Sequence, residues 1–249
     1  MPDAIFDGSS AVWTPLGGAA TTIEPLTEFD YADNIAEIDS SGSTDTFHTH
    51  EALRSDEVIT LGGLGAPGNG CSAGAIGALA VTLFDGGSNT FARCLLSEVS
   101  AEGRVDDAIK TSFKAIPAGP NAVATHVAHT GPTGADVAFM GTTVTFGGAG
   151  LAGLKLVSVR VTCMVAAADV GGSEDSTKLS APAKPQWTIE VEVVGSATVA
   201  RGAEGGLAVN WANGANFGSL ANAVCTKRGR GSSMGNTLTT KYTFRPRRS

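Results

Sequence analysis

The stretch Gly77-Ala-Leu-Ala-Val-Thr-Leu-Phe-Asp-Gly86 has a counterpart near the other end of the chain, Gly205-Gly-Leu-Ala-Val-Asn-Trp-Ala-Asn-Gly214. Each is a short apolar run closing on an Asp-Gly or Asn-Gly pair, dipeptides that supply positive φ in tight turns. Such a repeat restricts the fold, because whatever unit holds the first copy should hold the second. The surroundings agree: Leu207 follows Leu79 by 128 residues, and Pro246 follows Pro117 by 129. The Asp, Ser and Gly-rich loop at 169–175 answers the loop at 39–45 at a spacing of 130.

Period-2 alternation predicts strands in both halves. Thr27, Phe29 and Tyr31 form one row of an extended segment, and Leu26, Glu28, Asp30 and Ala32 the other. Short strands are expected at 12–14 and 142–146, and further ones at 57–61 and 79–81. The clearest strand is 154–166, with Val157, Val159, Val161, Cys163 and Val165 in one row. In 187–193, Trp187, Ile189, Val191 and Val193 face inward, and Glu190 and Glu192 outward. Alternation returns at 109–115 and 238–244. Two segments read as helices: 88–102, with Phe91, Cys94, Leu95 and Val99 in phase, and 216–226, with Phe217, Leu220, Ala221 and Val224 in phase. The expected class is therefore mainly β, in two tandem sandwich or barrel units, each with one α-helix packed on its sheet. Their bounds are 1–118 and 141–249, with the Pro, Gly and His-containing stretch 119–140 as linker.

Composition supports this class, since 33 glycines and few aromatics suit short strands and tight turns. The net charge of −7 is unevenly spread. Residues 1–125 hold 17 Asp and Glu against 5 Lys and Arg, whereas residues 126–249 hold 7 against 12. Halves of net −12 and +5 would attract one another if they alternate around a ring; two solvated surfaces are the plainer account. Cys71, Cys94, Cys163 and Cys225 form no CxxC pair and read as free thiols of a reducing cytoplasm. No apolar run behind a basic N-terminal region suggests a signal peptide, and none suggests a membrane span.

Few motifs point to chemistry. The loop from Asp39 spaces Asp39, Ser41, Ser43 and Asp45 like calcium ligands, but His50 occupies the place of the twelfth, acidic ligand. His48 and His50 would project from one face of an extended segment, yet no third metal ligand is placed. Gly70-Cys71-Ser72-Ala73-Gly74 matches the G-x-S-x-G elbow of serine hydrolases, and Asp106 or Asp107 with His126 or His129 would follow in triad order. An elbow needs a strand directly before its serine and a helix directly after. Here loop precedes Ser72 and strand follows. No Gly-Lys-Ser/Thr phosphate loop occurs. No cofactor, metal or catalytic residue is therefore assigned.

The order strand, strand, loop, strand, strand with Asp/Asn-Gly turn, helix, strand resembles the tail tube protein family of long-tailed bacteriophages, whose fold is shared with the ring protein of type VI secretion. The resemblance rests on Leu79-Ala-Val-Thr-Leu-Phe-Asp-Gly86, the segment from Ser88 and Ile109-Lys-Thr-Ser-Phe-Lys-Ala-Ile116, with repeats at 207–214, 216–226 and 238–244. It implies two tail-tube-like units in a structural, non-enzymatic virion protein that assembles in the host cytoplasm. In that family single units form hexameric rings and fused pairs form trimeric, pseudo-sixfold rings. The implied partners are further copies of the chain, tape-measure and other tail proteins, and phage DNA passing through the lumen without specific binding; no membrane is implied. Glu28, Asp30, Glu190 and Glu192 are then candidates to face the lumen, where carboxylates would repel phosphate. The alternatives are another virion or filament β-sandwich protein, a capsid decoration or adhesin, and a serine hydrolase built on Ser72.

Overall fold

The computed structural model describes residues 9–23, 25–39, 50–83, 86–105, 107–125, 138–147, 149–151, 155–172, 174–195, 198–231 and 238–247. The first half contributes β1 (Ser10–Pro15), β2 (Thr21–Ile23), β3 (Leu26–Asp39), β4 (His50–Leu64), β5 (Ile76–Thr82), β6 (Ser88–Arg104) and β7 (Lys110–Pro117). The second contributes β8 (Thr143–Phe146), β9 (Ala149–Gly150), β10 (Leu156–Asp169), β11 (Ser180–Val194), β12 (Glu204–Asn210), β13 (Leu220–Gly231) and β14 (Thr239–Pro246).

All fourteen belong to one antiparallel sheet whose path does not close on itself. Pairing runs β3-β4-β7-β6-β5-β1-β2 in the first half and β10-β11-β14-β13-β12-β8-β9 in the second. A seam between β6 and β10 joins the two runs, from Ser158 opposite Arg104 to Met164 opposite Glu98. An open path replaces the closed barrels that the sequence admits.

The core follows from alternation. Directly opposed residues lie on one face of a sheet, and one such row crosses eight strands: Leu26, Gly63, Thr111, Ala101, Val161, Ile189, Phe244 and Cys225. Every member is buried. The shorter strands add Trp13, Leu79 and Val81 from β1 and β5, and Phe146, Leu207 and Val209 from β8 and β12, all buried. Phe146 meets Phe244 of an unpaired strand with ring centroids 4.9 Å apart, so β8 packs over β14 and does not pair with it. Each fully buried Leu, Val, Ile or Phe side chain contributes about 1.5–3 kcal/mol.

Both expected helices are strands. Residues 88–102 fall in β6, and residues 216–226 form a turn followed by β13; no α-helix occurs among the described residues. The helical spacing arose because β6 changes partners midway. Its first part pairs with β5, its later part with β10, and β7 lies along its other edge. Cys94, Leu95 and Leu96 are consecutively buried at that crossing, before Val99, Ala101 and Gly103 resume alternation. A three-residue buried run beside an alternating one imitates a helical stripe. Phe217 is buried in the turn before β13, against Trp187 at 5.1 Å, and its carbonyl accepts the Trp211 indole N–H.

The crossing strands carry β-bulges. Between Leu96 and Glu98, β6 slips one residue against β7; β13 slips against β14 between Cys225 and Lys227. Ser97 Oγ donates to the Lys114 carbonyl at 3.2 Å, and Thr226 Oγ1 to the Thr243 carbonyl at 3.1 Å. The β5–β6 slip falls between Gly77 and Leu79, the β12–β13 slip between Gly205 and Leu207. In β3–β4 the slips lie at Leu26/Glu28 and Ile35/Glu37, and in β10–β11 at Leu156/Ser158 and Val165/Ala167. A buried threonine also recurs, Thr111 donating to the Gly65 carbonyl and Thr240 to that of Gly195.

Candidate functional surface

The strands that carry the buried row carry a polar one on their other face. Glu102, Arg160, Glu190, Thr243 and Lys227 lie directly opposite one another across β6, β10, β11, β14 and β13. The next row holds Arg104, Ser158, Glu192, Lys241 and Gly229. Together they line an open trough of about 610 Å³. Lys241 Nζ stands 3.4 Å from Glu192, and Glu102 stands 3.6 Å from Arg104 and 4.0 Å from Arg160.

Glu190 and Glu192 therefore sit among cations, and this part of the face is mixed in sign. Glu190 is exposed; Glu192 is partly covered. Glu28 and Asp30 occupy the corresponding face of β3, opposite Gly62 and Thr60, and both are exposed. A Cβ on Gly62 would come within 3.0 Å of Glu28 Cβ, so a glycine there lets the Glu28 stem lie across β4. Lys114 and Glu98 continue the Asp30 and Thr60 row. The four carboxylates share one outer face at well-separated positions, two on β3 and two on β11.

The hydrolase-like pentapeptide is in a different environment. Cys71, Ser72 and Ala73 have no exposed surface. The loop is held by Gly74 N–H donating to the Leu96 carbonyl at 2.8 Å and Leu96 N–H donating to that of Ala75 at 2.9 Å. Trp13 Nε1 donates to the Gly70 carbonyl at 3.1 Å. Ser72 precedes strand β5, the reverse of an elbow's order. Asp107 is turned to Lys110 at 3.0 Å. Asp106, His126 and His129 lie outside the described residues, as do 40–49 with His48.

Burial pushes the thiols of Cys71, Cys94 and Cys163 up to about 12, and Cys225 is raised for the same reason. Among the described residues no group of three His, Cys, Asp or Glu is placed to hold a metal. In the second Asp-rich loop the Asp169 carboxylate accepts the Gly171 N–H at 2.9 Å and pairs with Arg54 at 2.9 Å, which hold it below the ordinary carboxylate range.

Two exposed edges went unremarked in the sequence. β3 pairs only with β4, which leaves its outer edge open. In β13, Lys227 to Gly231 pair with β14 alone, while β12 covers only Leu220 to Val224. The signal was the cluster Lys227, Arg228 and Arg230 after the last buried residue, Cys225; its basic character reads as a break when it is an edge. No family model matches the chain, and no curated protein resembles it significantly.

Proposed function

We propose that the chain is a duplicated β unit that self-assembles into stacked rings, forming the tail tube of a long-tailed phage through which the genome is ejected. The observation that carries this reading is the agreement of pairing order and bulge position between β1–β7 and β8–β14. Bulges re-aim strands and are costly to place by accident. Their recurrence at one spacing supports two fused units, 1–118 and 141–249, joined through 119–140.

Duplicated units with free edges suit closed assemblies, because an unpaired edge is a liability until something pairs with it. Six units, three chains, would close a ring, and the polar outer face with Glu28, Asp30, Glu190 and Glu192 would line its channel. Carboxylates interleaved with Arg160 and Lys241 break up any continuous cationic strip, so the phosphate backbone would find no run of counterions to displace. DNA would pass without being held. Tape-measure and other tail proteins would be the remaining partners.

Electron microscopy of the purified protein tests the proposal. Rings or tubes with a lumen and threefold symmetry, two similar units per chain, are the expected images; a monodisperse monomer at every concentration refutes it.

A further inference from the structure

The internal seam between β6 and β10 is a joint between the two halves of one chain, and each of its strands has an equivalent with an open edge. By the matched bulges, β6 corresponds to β13 at a spacing of 129 residues, and β3 to β10 at 130. The open edge of β13 is thus the edge β6 uses in the seam, and the open edge of β3 is the one β10 uses. We infer that β13 of one copy adds to β3 of a second copy in the register of the internal seam. This rests on the reading of the chain as a self-assembling duplication, and names the contact through which it assembles.

The register follows residue by residue. Cys163 opposite Val99 translates to Asp33 opposite Arg228, Val161 opposite Ala101 to Tyr31 opposite Arg230, and Thr162 opposite Ser100 to Ala32 opposite Gly229. All of these but Ala32 are exposed in the single chain, and Ala32 is partly so. Where the internal seam buries Val99 and Ala101 against Cys163 and Val161, the joint between copies brings acid to base and an aromatic ring to a guanidinium.

A second contact beside the seam repeats the chemistry. The segment after β10 runs along β4: Ser55 N–H donates to the Ser176 carbonyl at 2.7 Å, Lys178 N–H to that of Ser55 at 2.8 Å, and Arg54 pairs with Asp169. Shifted by the same spacing, Arg54 and Asp169 correspond to Lys184 and Asp39, again a base and an acid. Between copies, these two would meet beside the joint.

Thiol trapping tests the joint. Ala32→Cys with Gly229→Cys places two thiols opposite each other, and position 229 has open space for a side chain. Oxidation should give covalent multimers of the full-length protein, whereas Ala32→Cys with Gly231→Cys, two residues out of register, should give few. In parallel, Arg228→Glu should raise the concentration for half-assembly about tenfold, and Asp33→Arg added to it should restore assembly. Circular dichroism of each variant shows that the subunit is folded. Multimers by light scattering with no 32–229 crosslink would overturn this joint and leave self-assembly standing. A wild-type monomer at all concentrations would overturn both.

Discussion

At the scale of single residues, the sharpest constraints fall on two equivalent glycines. A Cβ at Gly77 would lie 2.3 Å from the Thr14 carbonyl oxygen, and one at Gly205 would lie 2.9 Å from Gly147 Cα. Backbone, unlike a side-chain tip, cannot swing away. Gly77→Ala and Gly205→Ala should each cost about 2–3 kcal/mol in urea unfolding, while Gly229→Ala, with nothing near it, should stay within about 0.5 kcal/mol of wild type. The thiols give a second test. In the folded chain Cys71, Cys94 and Cys163 titrate near 12, above the ordinary thiol value, so burial favours the neutral form. The stability they contribute is complete below the unfolded thiol pKa and is lost as pH rises from there through 12. Native protein at pH 8 should leave these three thiols unreacted with a disulfide reagent over minutes, and all four cysteines should react once it is denatured.

At the scale of elements, the bulges decide register. Removing Ser97 would take the extra residue out of β6 and turn Val99, Ala101 and Gly103 from the buried face to the polar one, since a one-residue slip exchanges the faces of a strand. The deletion should abolish soluble folded protein, and removal of Thr226 should weaken folding less, because Arg228 and Arg230 beyond it are exposed. Soluble yield and far-UV circular dichroism measure both. Strands with one buried face were legible in the sequence: β10 and β11 were read from the Val159, Val161, Cys163 row and the Trp187, Ile189, Val191 row, and both rows are buried. β6 was not, because period-2 reading assumes one partner set along a strand, and at Cys94, Leu95 and Leu96 that assumption fails. Of the candidate surface, the outward setting of Glu28, Asp30 and Glu190 was readable from alternation. The neighbouring cations were not, since Arg160 and Lys241 meet Glu190 and Glu192 only through pairings between strands distant in sequence.

At the scale of the whole molecule, the uneven charge of the two halves has a place to act. Exposed ion pairs are screened as salt shortens the Debye length from about 10 Å at 0.1 M to about 3 Å at 1 M. If assembly depends on Asp33, Arg228 and Arg230, sedimentation velocity should show the assembled fraction falling over that range. An apolar joint would hold or strengthen instead.

The two open edges also give the chain a direction. β3 presents Asp30 and Asp33, and β13 presents Lys227, Arg228 and Arg230. Two β3 edges brought together would set acid against acid, and two β13 edges base against base, so symmetric pairing of like with like is opposed from both sides. Growth is left one route, tail to head, in which every added copy offers the same unmatched end to the next. Only closing the circle ends it.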